Sequence, residues 1–149
     1  MRILKSIDFL DVILVLLATL FIYAALNKLM TFQEFVAQIS KSPYITKQVW
    51  WISWSIPSIE LVIAGMLLIP RLQLIALFAS FSLMYMFSGY IFLVLTFSPY
   101  VPCSCGGILN GMGWTSHLIF NIGFTLLAVA GIILYNRRNR QSFTVEPAF

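Results

Sequence analysis

The chain has 149 residues, of which 60% are hydrophobic and only 9% charged, with a mean hydropathy of +0.94 and a formal net charge of +4. A soluble domain of this length carries many more charges over its surface, so the composition excludes an ordinary globular protein. The basic excess sits in short flanks, which speaks for orientation in a membrane and against binding nucleic acid.

The first eleven residues are short and mixed in charge, with Arg2, Lys5, Asp8 and Asp11. From Val12 to Leu26 the chain is almost wholly apolar, and Asn27-Lys28 close the run. No small-residue cleavage site follows, so this reads as a retained membrane helix and not a signal peptide. Thr19, Tyr23 and Asn27 recur every four residues and share a helical face, which is expected to look into protein, away from lipid. Thr31 with Glu34 has the spacing of a capping box and opens Phe35-Val36-Ala37-Gln38-Ile39, a short amphipathic helix suited to the membrane interface. Ser42-Pro43 should end it.

Trp50, Trp51 and Trp54 mark the interface where a second span enters. That span runs to about residue 69 and places Ser53, Pro57, Glu60 and Ala64 on one face. Pro70-Arg71 make a turn so short that the second and third spans must be antiparallel neighbours. The third span carries Ser82, Tyr85 and Gly89 on one face, with Tyr90 beside them, and Ser98-Pro99 ends it. Trp114 opens a fourth span, where His117 and Asn121 lie one turn apart on the same face. Asn136-Arg137-Arg138-Asn139-Arg140 is expected to stop it.

The predicted fold is therefore all-α and polytopic. It is one domain over 1–149, an antiparallel bundle of four spans (about 9–28, 49–69, 72–97 and 114–135) with a short interfacial helix after the first. Four spans put both termini on one side. Six basic residues (Arg2, Lys5, Arg71, Arg137, Arg138, Arg140) fall on that side, against Lys28, Lys41 and Lys47 on the other. The positive-inside bias then places the termini in the cytoplasm of a bacterial inner membrane and the third-to-fourth connection in the periplasm.

That connection holds both cysteines of the chain, in Pro102-Cys103-Ser104-Cys105-Gly106-Gly107. Alpha carbons two residues apart can lie within reach of a disulfide, and the ring so closed is small and strained. Strain makes such a bond easy to reduce, and it closes too little chain to act as a staple. The two glycines leave room for a partner thiolate. Helical rise places Glu60, Tyr90, His117 and Asn121 in the outer half of the bundle, beneath this loop. A carboxylate near the midplane is costly unless protonated or paired, and Tyr90, His117 and Asn121 are the candidate partners of Glu60. His117 is a candidate base for a nearby thiol. The bland alternatives are polar bridges between helices, a static disulfide or inert thiols. A further one is soft-metal binding, with Cu(I) held by the two thiolates and Met112 or His117.

Several motifs together resemble the DoxX-like/MauE family of bacterial redox-associated membrane proteins. They are Asn27-Lys28-Leu29 with Phe32 and Phe35, Lys41-Ser42-Pro43-Tyr44, Pro57 with Glu60-Leu61, and Phe87-Ser88-Gly89-Tyr90. The cysteine loop and Trp114-Thr115-Ser116-His117 with Phe120-Asn121 complete them. The resemblance implies a four-helix bundle whose cysteines, Cys103 and Cys105, face the periplasm. It implies work beside a thioredoxin-like partner that matures disulfide-containing proteins, and it brings quinone in as an electron acceptor. The leading expectation is a membrane thiol–disulfide oxidoreductase or its accessory, with quinone near Tyr90, Glu60 and His117. A small membrane subunit that anchors or assembles a larger envelope complex is the competing one.

Overall fold

A computed structural model of the chain describes residues 8–40, 48–97 and 114–144. Five helices make it up: α1 (Phe9–Met30), α2 (Phe32–Ser40), α3 (Val49–Leu68), α4 (Gln73–Phe97) and α5 (Trp114–Thr144). Among the described residues there is no strand. All but α2 are long and apolar enough to cross a membrane. The expected all-α bundle of four spans with a short helix after the first is what forms.

The four long helices close into a ring. α1 packs chiefly on α3, and α4 on α5, while lighter contacts between α3 and α4 and between α1 and α5 complete it. The short turn at Pro70 thus joins neighbours that pack less closely than the sequence-distant pair α1 and α3. Leu10, Leu14, Leu17 and Phe21 supply the buried stripe of α1, three or four residues apart. Leu77 and Met84 of α4, Ala128 of α5, and Ile63 and Leu67 of α3 fill the space they face. Much of the remaining apolar surface is exposed, as it must be where the surroundings are lipid.

Several local expectations need correction. Thr19 is exposed and donates its hydroxyl to the Val15 carbonyl, whereas Tyr23 is 37% exposed and Asn27 half-buried, so the polar face of α1 turns inward only toward its Asn27 end. A hydroxyl satisfied within its own helix tolerates lipid, which removes the reason for it to face inward. On α4, Ser82, Tyr85 and Gly89 are exposed, and the buried hydroxyl is Ser80, bonded to the Ala76 carbonyl. On α3 the expectation holds: Ser53, Pro57, Glu60 and Ala64 are all buried.

Thr31 does not cap α2. It is the only residue between α1 and α2, and its hydroxyl bonds back to the Asn27 carbonyl at 2.9 Å, serving the end of α1. Phe32 then docks α2 onto the start of α3, with its ring 4.8 Å from that of Trp54 and 5.9 Å from that of Trp50. α5 does not stop at the arginines but continues to Thr144. Charge ends a membrane span, but Asn and Arg lack the backbone constraint that breaks a helix. At 31 residues α5 is about 46 Å long and outreaches the roughly 30 Å hydrocarbon layer.

Candidate functional site

The site is organised around a lysine. Lys28 lies near the end of α1, and its ammonium Nζ stands 2.7 Å from Oε1 of Glu60 on α3. The Glu60 side chain is 1% exposed and that of Lys28 20%. The same Nζ reaches the Ala24 carbonyl at 3.5 Å and lies 5.7 Å from the centre of the Phe87 ring on α4. Lys28 therefore joins α1, α3 and α4 at one point, and His117 of α5 is half-buried.

The levels agree. Glu60 lies about 16 Å below Val49 along α3, and Phe87 about 15 Å below the end of α4 at Phe97. α1 ends lower than α3 begins, because α2 sits beside Trp50 and Trp54 at the top of α3. Lys28, two residues from that lower end, so meets a carboxylate deep in α3. Pro57 shares the buried face one turn above Glu60. It has no N–H to donate, but α3 stays continuous across it.

The carboxylate is only half satisfied. Oε1 accepts from Lys28, whereas Oε2 is buried and accepts no hydrogen bond among the described residues. Tyr90, His117 and Asn121, the candidate partners of Glu60, do not bond to it; Lys28 does. Tyr90 is half-buried on α4, three residues beyond Phe87. Asn121 is 5% exposed, one turn below His117 on α5. Cys103 and Cys105, and Met112 of the alternative metal set, lie outside the described residues.

Sequence reasoning missed Lys28 because it counted the residue among the cations of the outer surface. The signal was the stripe itself. Leu14, Leu17 and Phe21 step by three and four, and seven residues on from Phe21 is Lys28. A lysine continuing a buried stripe next to a span with a buried Glu invites pairing.

A second polar cluster closes the opposite end. Arg138 of α5 donates to Asp11 of α1 at 3.4 Å and to the buried Gln73 of α4 at 3.2 Å, and lies 5.8 Å from the Tyr135 ring. It ties three helices near the start of α1 and of α4.

Four apolar spans, a half-satisfied ion pair buried between them and an aromatic belt define a small multi-pass membrane protein in contact with lipid. Residues 7–134 match the family described as methylamine utilisation protein MauE, and the chain belongs to that family. The MauE resemblance read from the sequence is thereby borne out. No curated protein and no solved structure matches the chain significantly.

Proposed function

We propose that the protein is a membrane thiol–disulfide redox protein, or an accessory to one, that works through Cys103 and Cys105. A dithiol of a thioredoxin-like periplasmic partner attacks one sulfur of the Cys103–Cys105 disulfide and forms a mixed disulfide. Attack by the partner's second thiol then releases the partner as a disulfide and leaves Cys103 and Cys105 as thiols. These pass two electrons and two protons to a quinone in the outer half of the bundle, near Glu60, Tyr90 and His117. The products are the Cys103–Cys105 disulfide and a quinol.

One observation carries this reading. In sequence both cysteines fall between α4 and α5, on the side of the bundle from which the buried Lys28–Glu60 pair is reached about 16 Å down α3, which supports the reading. Polar groups sunk in a membrane bundle mark pathways for protons, ions or ligands. The family's description supports an accessory role in a methylamine-utilisation system as the setting. The orientation gains support from Lys28 as well. Folded inward onto Glu60, it leaves Lys41 and Lys47 as the outer cations against six on the side of the termini. The cysteines then face the periplasm and both termini the cytoplasm of an inner membrane.

The test replaces Cys103 or Cys105 by Ser in the native host and follows the thiol state of periplasmic proteins. Accumulation of reduced thiols in a definite set of substrates is expected. An oxidation pattern identical to wild type would refute the proposal.

A further inference from the structure

Hydrocarbon offers a hydroxyl neither donor nor acceptor, so one that faces lipid needs a partner in protein. Thr19, Ser55, Ser58 and Thr96 are exposed on the long helices, and each finds that partner in its own helix, donating to the carbonyl four residues back. Ser82 and Tyr85 of α4 differ. Both are exposed, Tyr85 by 65%, and neither hydroxyl has a hydrogen bond among the described residues. Tyr85 lies twelve residues from each end of α4, about 18 Å along the axis, which is the middle of the bilayer. Tyrosines that anchor a span sit at the headgroups, and from this depth the side chain does not reach them.

The rest of that face is shaped for another helix. Ile75, Phe78, Ser82, Tyr85, Gly89 and Phe92 follow one another at alternating steps of three and four, and all are exposed, while Leu77 and Met84 face the bundle. This is the spacing of a seam between two helices. Gly89 has nothing within 4 Å of where a Cβ would stand, so its backbone is open to close approach.

The hydroxyls select the occupant. The Tyr85 ring stacks on that of Phe81 at 6.0 Å, one turn nearer the start of α4, which brings its hydroxyl back toward the level of Ser82. A second copy in the same bilayer has the same depth and orientation, so its α4 runs parallel and presents Ser82 at that level. A two-fold axis along the bilayer normal makes the contact reciprocal. Each hydroxyl can donate and accept, so the face is complementary to itself. A helix of another sequence matches it only by carrying a hydroxyl at the same depth.

We infer that α4 is the interface of a homodimer within the membrane, in which Tyr85 of each chain bonds Ser82 of the other. The inference goes beyond the thiol reading above and does not depend on it.

Full-length chains carrying a donor or an acceptor dye at the amino terminus are mixed in vesicles of phosphatidylethanolamine and phosphatidylglycerol. Energy transfer that rises linearly with the acceptor fraction, at fixed protein-to-lipid ratio, is expected and identifies a dimer. Tyr85→Phe deletes two bonds between chains and none within a chain, and should raise the dissociation constant about tenfold. Gly89→Leu fills open space in one chain but blocks the approach of two, and should abolish transfer with helix content unchanged. Gly123→Leu makes the same change at an equally open site on α5 and should leave transfer as in wild type. Wild-type transfer no greater than random proximity gives would overturn the inference and leave the face to another membrane protein. So would Tyr85→Phe and Gly89→Leu chains that associate as wild type does, or an equal loss of transfer in Gly123→Leu.

Discussion

Breaking the Lys28–Glu60 pair from one side should cost far more than removing it whole. At 2.7 Å the Coulomb attraction is about 6 kcal/mol for an effective dielectric constant of about 20. Most of that is offset by the desolvation of a carboxylate left only 1% exposed, so the net value of the pair is much smaller. Removal of one partner restores none of the desolvation. Lys28→Met should therefore destabilise the bundle by about 3–5 kcal/mol, because it strands Glu60 deep in α3. Glu60→Gln should cost less, because Lys28 lies two residues from the end of α1 and its long side chain can turn outward to the headgroups. Lys28→Met/Glu60→Leu should return to within about 1–2 kcal/mol of wild type. The assay is reversible unfolding in mixed micelles by increasing detergent denaturant, read by helical circular dichroism. If the double variant loses the sum of the two single losses, the residues are not coupled and the reasoning fails.

The two glycines of α5 should respond with opposite signs in the same assay. A Cβ on Gly131 would stand 2.8 Å from Leu77 Cδ2 and 3.2 Å from Ile13 Cγ2, so Gly131→Ala should destabilise by about 1 kcal/mol and Gly131→Leu by about 3 kcal/mol. Gly123 has nothing within 4 Å, and Gly123→Ala should gain about 0.5–1 kcal/mol from the restricted unfolded backbone. Arg138→Ala should lower stability by no more than about 1 kcal/mol, because its bridge to Asp11 is solvent-accessible at 3.4 Å, and raised salt should shrink the effect. Phe32→Ala should release α2 from α3, seen as a change in the emission of Trp50 and Trp54 with helix content otherwise kept. Unchanged emission would show that the aromatic contact does not hold α2.

The architecture was legible because spanning a bilayer leaves few choices. Long apolar runs must become helices, and the turn at Pro70-Arg71 dictates antiparallel neighbours. The buried face of α3 was legible too, since Ser53, Pro57, Glu60 and Ala64 recur at helical spacing. What hydropathy could not convey was which faces of α1 and α4 look inward. Thr19 read as core-facing because it is polar, but a hydroxyl that bonds its own helix is at home in lipid. Which residue pairs with Glu60 was hidden for a related reason. Lys28 ends an apolar run, where a lysine usually marks the membrane surface, and only the packing of α1 against α3 turns it inward. The end of α5 was misplaced because the limit of the membrane span was taken as the limit of the helix.

Trapping decides the central claim most directly. A chain with Cys105→Ser or Cys103→Ser, expressed in its native host and quenched in acid, should carry a periplasmic dithiol protein through a single reducible bond, identifiable by mass spectrometry. Recovery of both variants with their remaining cysteine free, under conditions that trap mixed disulfides of other exchange proteins, would contradict the account.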